Sequence, residues 1–302
     1  MTTLEAYEAS SVKRRRATKS EMAERAEFLV DYASTHGPIT VRGLYYQAEV
    51  ANVPGIDKTE SAYSKVQRQV LDLRRGGDLA YEHIADATRW MRKPRSFNSI
   101  EDALQETARQ YRRNLWRDAE DYIEVWCEKD ALAGVIYPMT ALYDVPLMVA
   151  RGFSSETFAY EAVAARGDDE RDYYVYYFGD LDRSGRDAAR TLKEKLERFA
   201  ASLPLRVVFI QIAVTEQQVA ELRLPTRPHK RNTSADRAWP LEYACELDAL
   251  DPDTLRELVQ VAIERHLPAD QLEILKIAEE SERELLTAFV RRQRRRSGSV
   301  SR

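Results

Sequence analysis

Two hydrophobic periods divide the chain. From residue 20 to about 75, apolar residues recur every three or four positions, as in helices that pack one face inward. Ser20 caps the first helix, which runs to about Ser34 with Ala23, Ala26, Phe28, Leu29 and Ala33 inside and Gly37 beyond its end. A second helix begins after Pro38-Ile39-Thr40, and a third runs from Thr59 to about Arg75, closed by Gly76-Gly77. Leu79 to Ile84 reads as a short extended segment. Three helices, the last rich in Lys65, Gln67, Arg68, Arg74 and Arg75, followed by a β-like segment, predict a winged helix-turn-helix over 20–95. A plain three-helix packing module fits the same pattern.

Beyond residue 120 the period changes. Strand-like and helix-like runs alternate: Tyr122–Cys127, Leu132–Leu142, Leu147–Ala150, Ser155–Ala165, Tyr173–Phe178, Arg186–Ala201 and Leu205–Ile212. This βαβαβαβ order predicts a parallel, Rossmann-like sheet covered on both faces, hence an α/β fold over 121–302 with C-terminal helices. Those helices are expected from Asp253 to His266 and from Gln271 to about Arg296. A helix from Ser99 to about Trp116 bridges the two parts as a linker over 96–120, after the cationic, proline-broken stretch Thr88–Phe97. Residues 1–19 are polar, charged and aperiodic, and read as a flexible basic arm.

The pattern also places chemistry. The apolar run Tyr173–Phe178 ends at Gly179, with Asp180 and Asp182 directly after it; Tyr122–Cys127 ends at Glu128-Lys129-Asp130. Ligand crevices of α/β sheets lie outside the carboxyl ends of the strands. Glu128, Asp180 and Asp182 therefore qualify as a Mg2+ site, hard oxygen donors being what that ion takes. A solvated acidic turn is the plain reading of Asp-x-Asp, and Lys129 reads as a surface lysine.

On the second helix Val41, Leu44, Tyr45 and Ala48 follow i, i+3, i+4, i+7 and form the buried stripe. Tyr46 lies about 100° further round, beside Arg42, and is expected to be the exposed tyrosine of the pair. A phenol ionises near pH 10 and needs a base, cation or metal to become a nucleophile. Arg42 would favour the phenolate and fork onto a phosphate. A surface amphiphile is the ordinary reading of such a pair.

Three motifs, Glu128-Lys129-Asp130-Ala131-Leu132, Arg151-Gly152-Phe153-Ser154-Ser155 and Gly179-Asp180-Leu181-Asp182-Arg183-Ser184-Gly185, resemble the Toprim domain of the topoisomerase VI A subunit and its meiotic double-strand-break relatives. Val41-Arg42-Gly43-Leu44-Tyr45-Tyr46 is similar to the nucleophile motif of that family, whose attacking tyrosine falls on Tyr46 and whose arginine falls on Arg42. Glu242–Leu250 resembles a late segment of the family; spacing does not say whether Glu246 or Asp248 approaches the metal. The resemblance implies a winged helix plus Toprim architecture and metal-dependent cleavage of duplex DNA by tyrosine transesterification. It further implies a homodimer in which one copy's tyrosine meets the other's metal site, and an ATPase partner subunit. This sequence has Arg183 where the family commonly has proline and Gly43 where an acidic residue is frequent, which puts strand passage and the partner subunit in question. A hydrolytic Toprim nuclease that does not use the tyrosine, and an inert DNA-binding dimer, are the competing expectations.

Composition narrows this further. Of 302 residues, 44% are hydrophobic and 32% charged, ordinary for a globular protein. No run is long enough for a membrane span and the start lacks a signal-peptide pattern, so no membrane association and a cytoplasmic location, nucleoid-associated in a bacterial or archaeal host, are expected. The net charge of −4 argues against indiscriminate nucleic-acid binding, but cations cluster at Lys13–Arg16, Arg74-Arg75, Arg223–Arg237 and Arg291–Arg296. The basic loop around Lys230 and Arg231 is a candidate DNA contact. Cys127 and Cys245 read as core packing, the four histidines show no zinc-ligand spacing, and no Walker loop occurs. Ser154 and Ser155 fit either phosphate binding or simple helix capping.

Overall fold

The structure, a computed structural model, describes residues 18–85, 96–229, 231, 233–267 and 269–300. The basic arm up to residue 17, most of the cationic stretch Thr88–Phe97 and Lys230 lie outside the described residues.

Three helices open the described chain: α1 (Lys19–His36), α2 (Val41–Val50) and α3 (Glu60–Gly76). Each starts where a threonine hydroxyl accepts from an orphan N–H three residues on: Thr18 for α1, Thr40 for α2 and Thr59 for α3. Gly77, at φ 85°, ends α3 in the left-handed conformation that suits glycine. The extended segment expected over Leu79–Ile84 contains a 3₁₀ turn, Tyr81–His83, and pairs through one isolated bridge, Ile39 to Ile84. No hairpin wing occurs among the described residues, and residues 86–95 lie outside them.

The linker helix α4 (Ile100–Gln110) is shorter than its periodicity suggests. Its last turn is drawn off by acids and arginine of the final helix: Glu279 accepts from the Arg113 N–H at 2.9 Å, and Arg283 donates to the Tyr111 carbonyl at 3.1 Å.

The second half alternates as expected: β1 (Asp121–Cys127), α5 (Ala133–Leu142), β2 (Leu147–Val149), α6 (Glu156–Ala164), β3 (Asp172–Phe178), α7 (Arg183–Ala200) and β4 (Val207–Ala213). The four strands are parallel in the order β2-β1-β3-β4. Strand pleating sends Val125, Cys127, Tyr176 and Phe178 to one face, into a core shared with α1–α3, α5 and the later helices. Trp126, Tyr173, Val175 and Tyr177 go to the other, against α6 and α7. Both faces are thus buried, as a parallel sheet requires.

After β4 come α8 (Glu216–Glu221), a short β5–β6 pair (Arg227–Pro228 with Tyr243–Ala244), α9 (Ser234–Arg237), α10 (Pro252–Glu264) and α11 (Ala269–Val300). Among the described residues no helix is long and apolar enough to cross a membrane.

Candidate active site at the switch point of the sheet

From β1 the chain turns to β2 on one side; from β3 it turns to β4 on the other. The carboxyl ends of β1 and β3 therefore flank the topological switch point, where α/β sheets bind ligands. Glu128 follows β1 and Asp180 follows β3, and the Asp180 N–H donates to Glu128 Oε2 at 3.0 Å. Gly179 makes this approach possible: a Cβ there would sit 2.6 Å from Glu128 Oε2 and from the Tyr177 ring. The two acids expected from separate strands do meet.

Their electrostatics is that of crowded, partly buried carboxylates. Burial and then the Asp180 charge push the Glu128 carboxyl up to about 7. Asp180 is also raised, burial outweighing the ammonium of Lys129 at 3.1 Å. The Leu247 N–H donates to Asp180 Oδ1 at 2.7 Å.

Asp182 is turned to other work. Its Oδ1 accepts from the Gly185 N–H at 2.8 Å, capping α7, and its Oδ2 pairs with Arg227 at 2.9 Å. This cap starts α7 at Arg183, three residues before the apolar pattern does. Among the described residues no three acids, histidines or cysteines are grouped as a ready metal cage.

Lys129 is not a surface lysine. It is largely buried, with its ammonium 2.8 Å from Asp248, 3.1 Å from Glu246 and 3.1 Å from Asp180. Burial works against its charge, but the three carboxylates outweigh that and raise its pKa. Glu246 also accepts from Arg42 at 2.9 Å and lies 3.4 Å from Arg227. Burial opposes the Glu246 charge, and Lys129 and Arg42 outweigh it, holding the carboxyl below its ordinary range. Glu246, Asp248 and Arg227 thus complete a site that spacing alone did not assign. The late Glu242–Leu250 motif and the basic loop were the signals available for them.

The expectation of an exposed Tyr46 is corrected: it is 8% exposed, and Tyr45 5%. The reason is tertiary. Helix α2 presses against the 3₁₀ turn Leu247–Ala249, with Thr40 donating to Asp248 at 2.7 Å and Gly43 leaving room for the Asp248 carbonyl. The Tyr46 side that periodicity assigned to solvent therefore faces the acid network. Arg42 stands 5.7 Å from the Tyr46 ring centre. Burial and then Glu246 push the phenol up to about 12, opposed by Arg42 and Lys129. Both residues line a cleft of about 140 Å³ with Tyr63, Lys58, Thr226 and Arg227.

Other expectations resolve simply. Ser155 caps α6, accepting from the Phe158 N–H at 3.1 Å. Cys127 and Cys245 are buried free thiols. Arg183 ties α7 to the basic loop through Asp236 at 2.9 Å. Neither a protein-family model nor a curated protein matches the chain, so the chemistry of the cleft has to come from its own side chains.

Proposed function

We propose that this chain cleaves phosphodiester bonds of duplex DNA by tyrosine transesterification, in the manner of the topoisomerase VI A-like enzymes its motifs resemble. Tyr46 is the nucleophile, Arg42 the phosphate-holding group, and the rim of Glu128 and Asp180, with Asp182 beside it, the seat of Mg2+. One observation carries this reading: Tyr46, Arg42, Glu246, Lys129 and Asp180 form a continuous chain of contacts, which links the phenol of α2 to the acids of the sheet rim.

The donor set suits the ion. Magnesium usually takes one or two carboxylates and leaves its other positions to substrate phosphate and water, so no full cage is required. Glu128 and Asp180 are partly buried and adjacent, and the Asp180 charge works against that of Glu128, a repulsion that a divalent cation relieves. When bound, Mg2+ would neutralise phosphate charge and stabilise the leaving oxygen.

The chain's own groups account for the remaining steps. Arg42 favours the phenolate and presents a planar fork to the phosphate. The Tyr46 oxygen bonds to phosphorus as the bond from phosphorus to a deoxyribose oxygen breaks, and the sugar departs as a hydroxyl, the phenolic proton balancing the one gained. Exposed Lys65, Arg68 and Arg75 of α3 offer phosphate contacts, the role a helix-turn-helix module would give this helix. Cutting both strands takes two copies.

The burial of Tyr46 favours a second reading, in which water attacks at the acid rim and Tyr46 only packs. Cleavage of an end-labelled duplex with Mg2+ separates the two. Glu128→Gln and Asp180→Asn are expected to lose about 100-fold or more in rate under both. Tyr46→Phe abolishes cutting under the first and spares it under the second. Cutting unchanged in all three variants contradicts both.

A further inference from the structure

Helix α11 has α4 and the Tyr111–Arg113 segment fastened to one of its sides: Glu279 and Arg283 hold the backbone, and Glu282 accepts from the Tyr111 hydroxyl. Another side has no such cover among the described residues. Ile274 is 68% exposed, Ile277 63%, Leu285 71% and Phe289 53%. At 3.6 residues per turn these four fall within an arc of about 120°. They form one apolar stripe, with the small Ser281 at its middle. A run of large apolar side chains on one helical face marks an interaction surface rather than scattered exposure.

The charges beside the stripe are divided along its length. Exposed Glu273, Glu280 and Glu284 occupy its first two thirds, and exposed Arg291 and Arg292 its end. An identical helix laid antiparallel, with the two-fold axis near Ser281, meets this arrangement. Ile277 then faces the other copy's Leu285, Ile274 faces Phe289, and Glu273 approaches Arg291 and Arg292. A two-fold axis makes every such contact twice, as self-complementary dimers do. Glu280 and Glu284 come together near the axis, and Arg283, 2.7 Å from Glu280, moderates that repulsion. A parallel arrangement would instead set acids against acids and arginines against arginines.

We propose that the α11 stripe is a homodimer interface, occupied by the same stripe of a second copy in antiparallel register. The surface stands apart from the catalytic cleft and does not depend on the reaction assigned to it. The end-to-end charge division selects a second copy as the partner, because this helix itself satisfies it.

The test uses the full chain. Sedimentation equilibrium over roughly 1 to 100 µM, where modest interfaces dissociate, is expected to show a dimer. Ile277→Asp with Leu285→Asp is expected to leave only monomer, with an unchanged circular dichroism spectrum because both positions are exposed. Under mild oxidation Ser281→Cys, next to the axis, is expected to form a disulfide-linked dimer, and Glu273→Cys, far from it, is not. A monomeric wild type, or a dimer indifferent to the double substitution, overturns the proposal. Equal crosslinking at 281 and 273 means parallel copies and overturns it too.

Discussion

Glu124 shows what burial does to a single side chain in this sheet. It lies on β1, with its carboxylate accepting from Trp126 at 2.8 Å, from Tyr122 at 3.0 Å and from the Tyr173 hydroxyl, and with Arg166 nearby. Burial still wins, and the pKa is raised. A carboxyl whose folded pKa exceeds its unfolded one binds its proton more tightly when folded. Its contribution is complete below the ordinary value of about 4.5 and is lost as pH rises through the folded value. Urea unfolding over that range should show wild-type stability falling relative to Glu124→Gln, which has no such proton. A difference that stays flat with pH would show that Glu124 does not titrate differently on folding. The same dependence on surroundings explains why Lys129 and Tyr46 were misread: a local pattern carries no sign of the Leu247–Ala249 turn that encloses them.

Among the elements, α7 shows how tightly the site is built on its scaffold. Its first turn sits directly on the Asp180 backbone, so that a Cβ at Gly185 would lie 2.3 Å from the Asp180 carbonyl oxygen. Gly185→Ala is therefore expected to cost about 1–3 kcal/mol by overpacking, measurable as a lower denaturation midpoint, and to displace Asp180 from Glu128. Full stability in that variant would mean the turn is looser than described. The elements themselves were largely legible. Alternating apolar runs marked β1 and β3, and Thr40, Thr59, Ser99 and Ser155 marked helix starts, because caps and periods are local properties. Element ends were less so. Helix α4 stops early because residues of α11, far along the chain, bind its last turn, and Asp182 starts α7 early by capping it.

For the molecule as a whole, one hydrophobic cluster runs from Leu29 of α1 through the sheet to Leu272 of α11. The N-terminal helices are thereby fixed against the sheet rim, which puts Arg42 and Tyr46 beside Lys129 and Glu246 of their own chain. The convergence of Glu128 and Asp180 could be anticipated, since both follow parallel strands. The link from the tyrosine to those acids through Arg42, Glu246 and Lys129 could not, since it depends on how two packed units meet. The most direct measurement is mass spectrometry of protein quenched during reaction with duplex DNA and Mg2+, after nuclease trimming of the DNA. The expected result is a nucleotide phosphate on the peptide carrying Tyr46, absent when Glu128 is changed to Gln. Strand breaks with no adduct on Tyr46, or an adduct on another tyrosine, would contradict the assignment of the nucleophile.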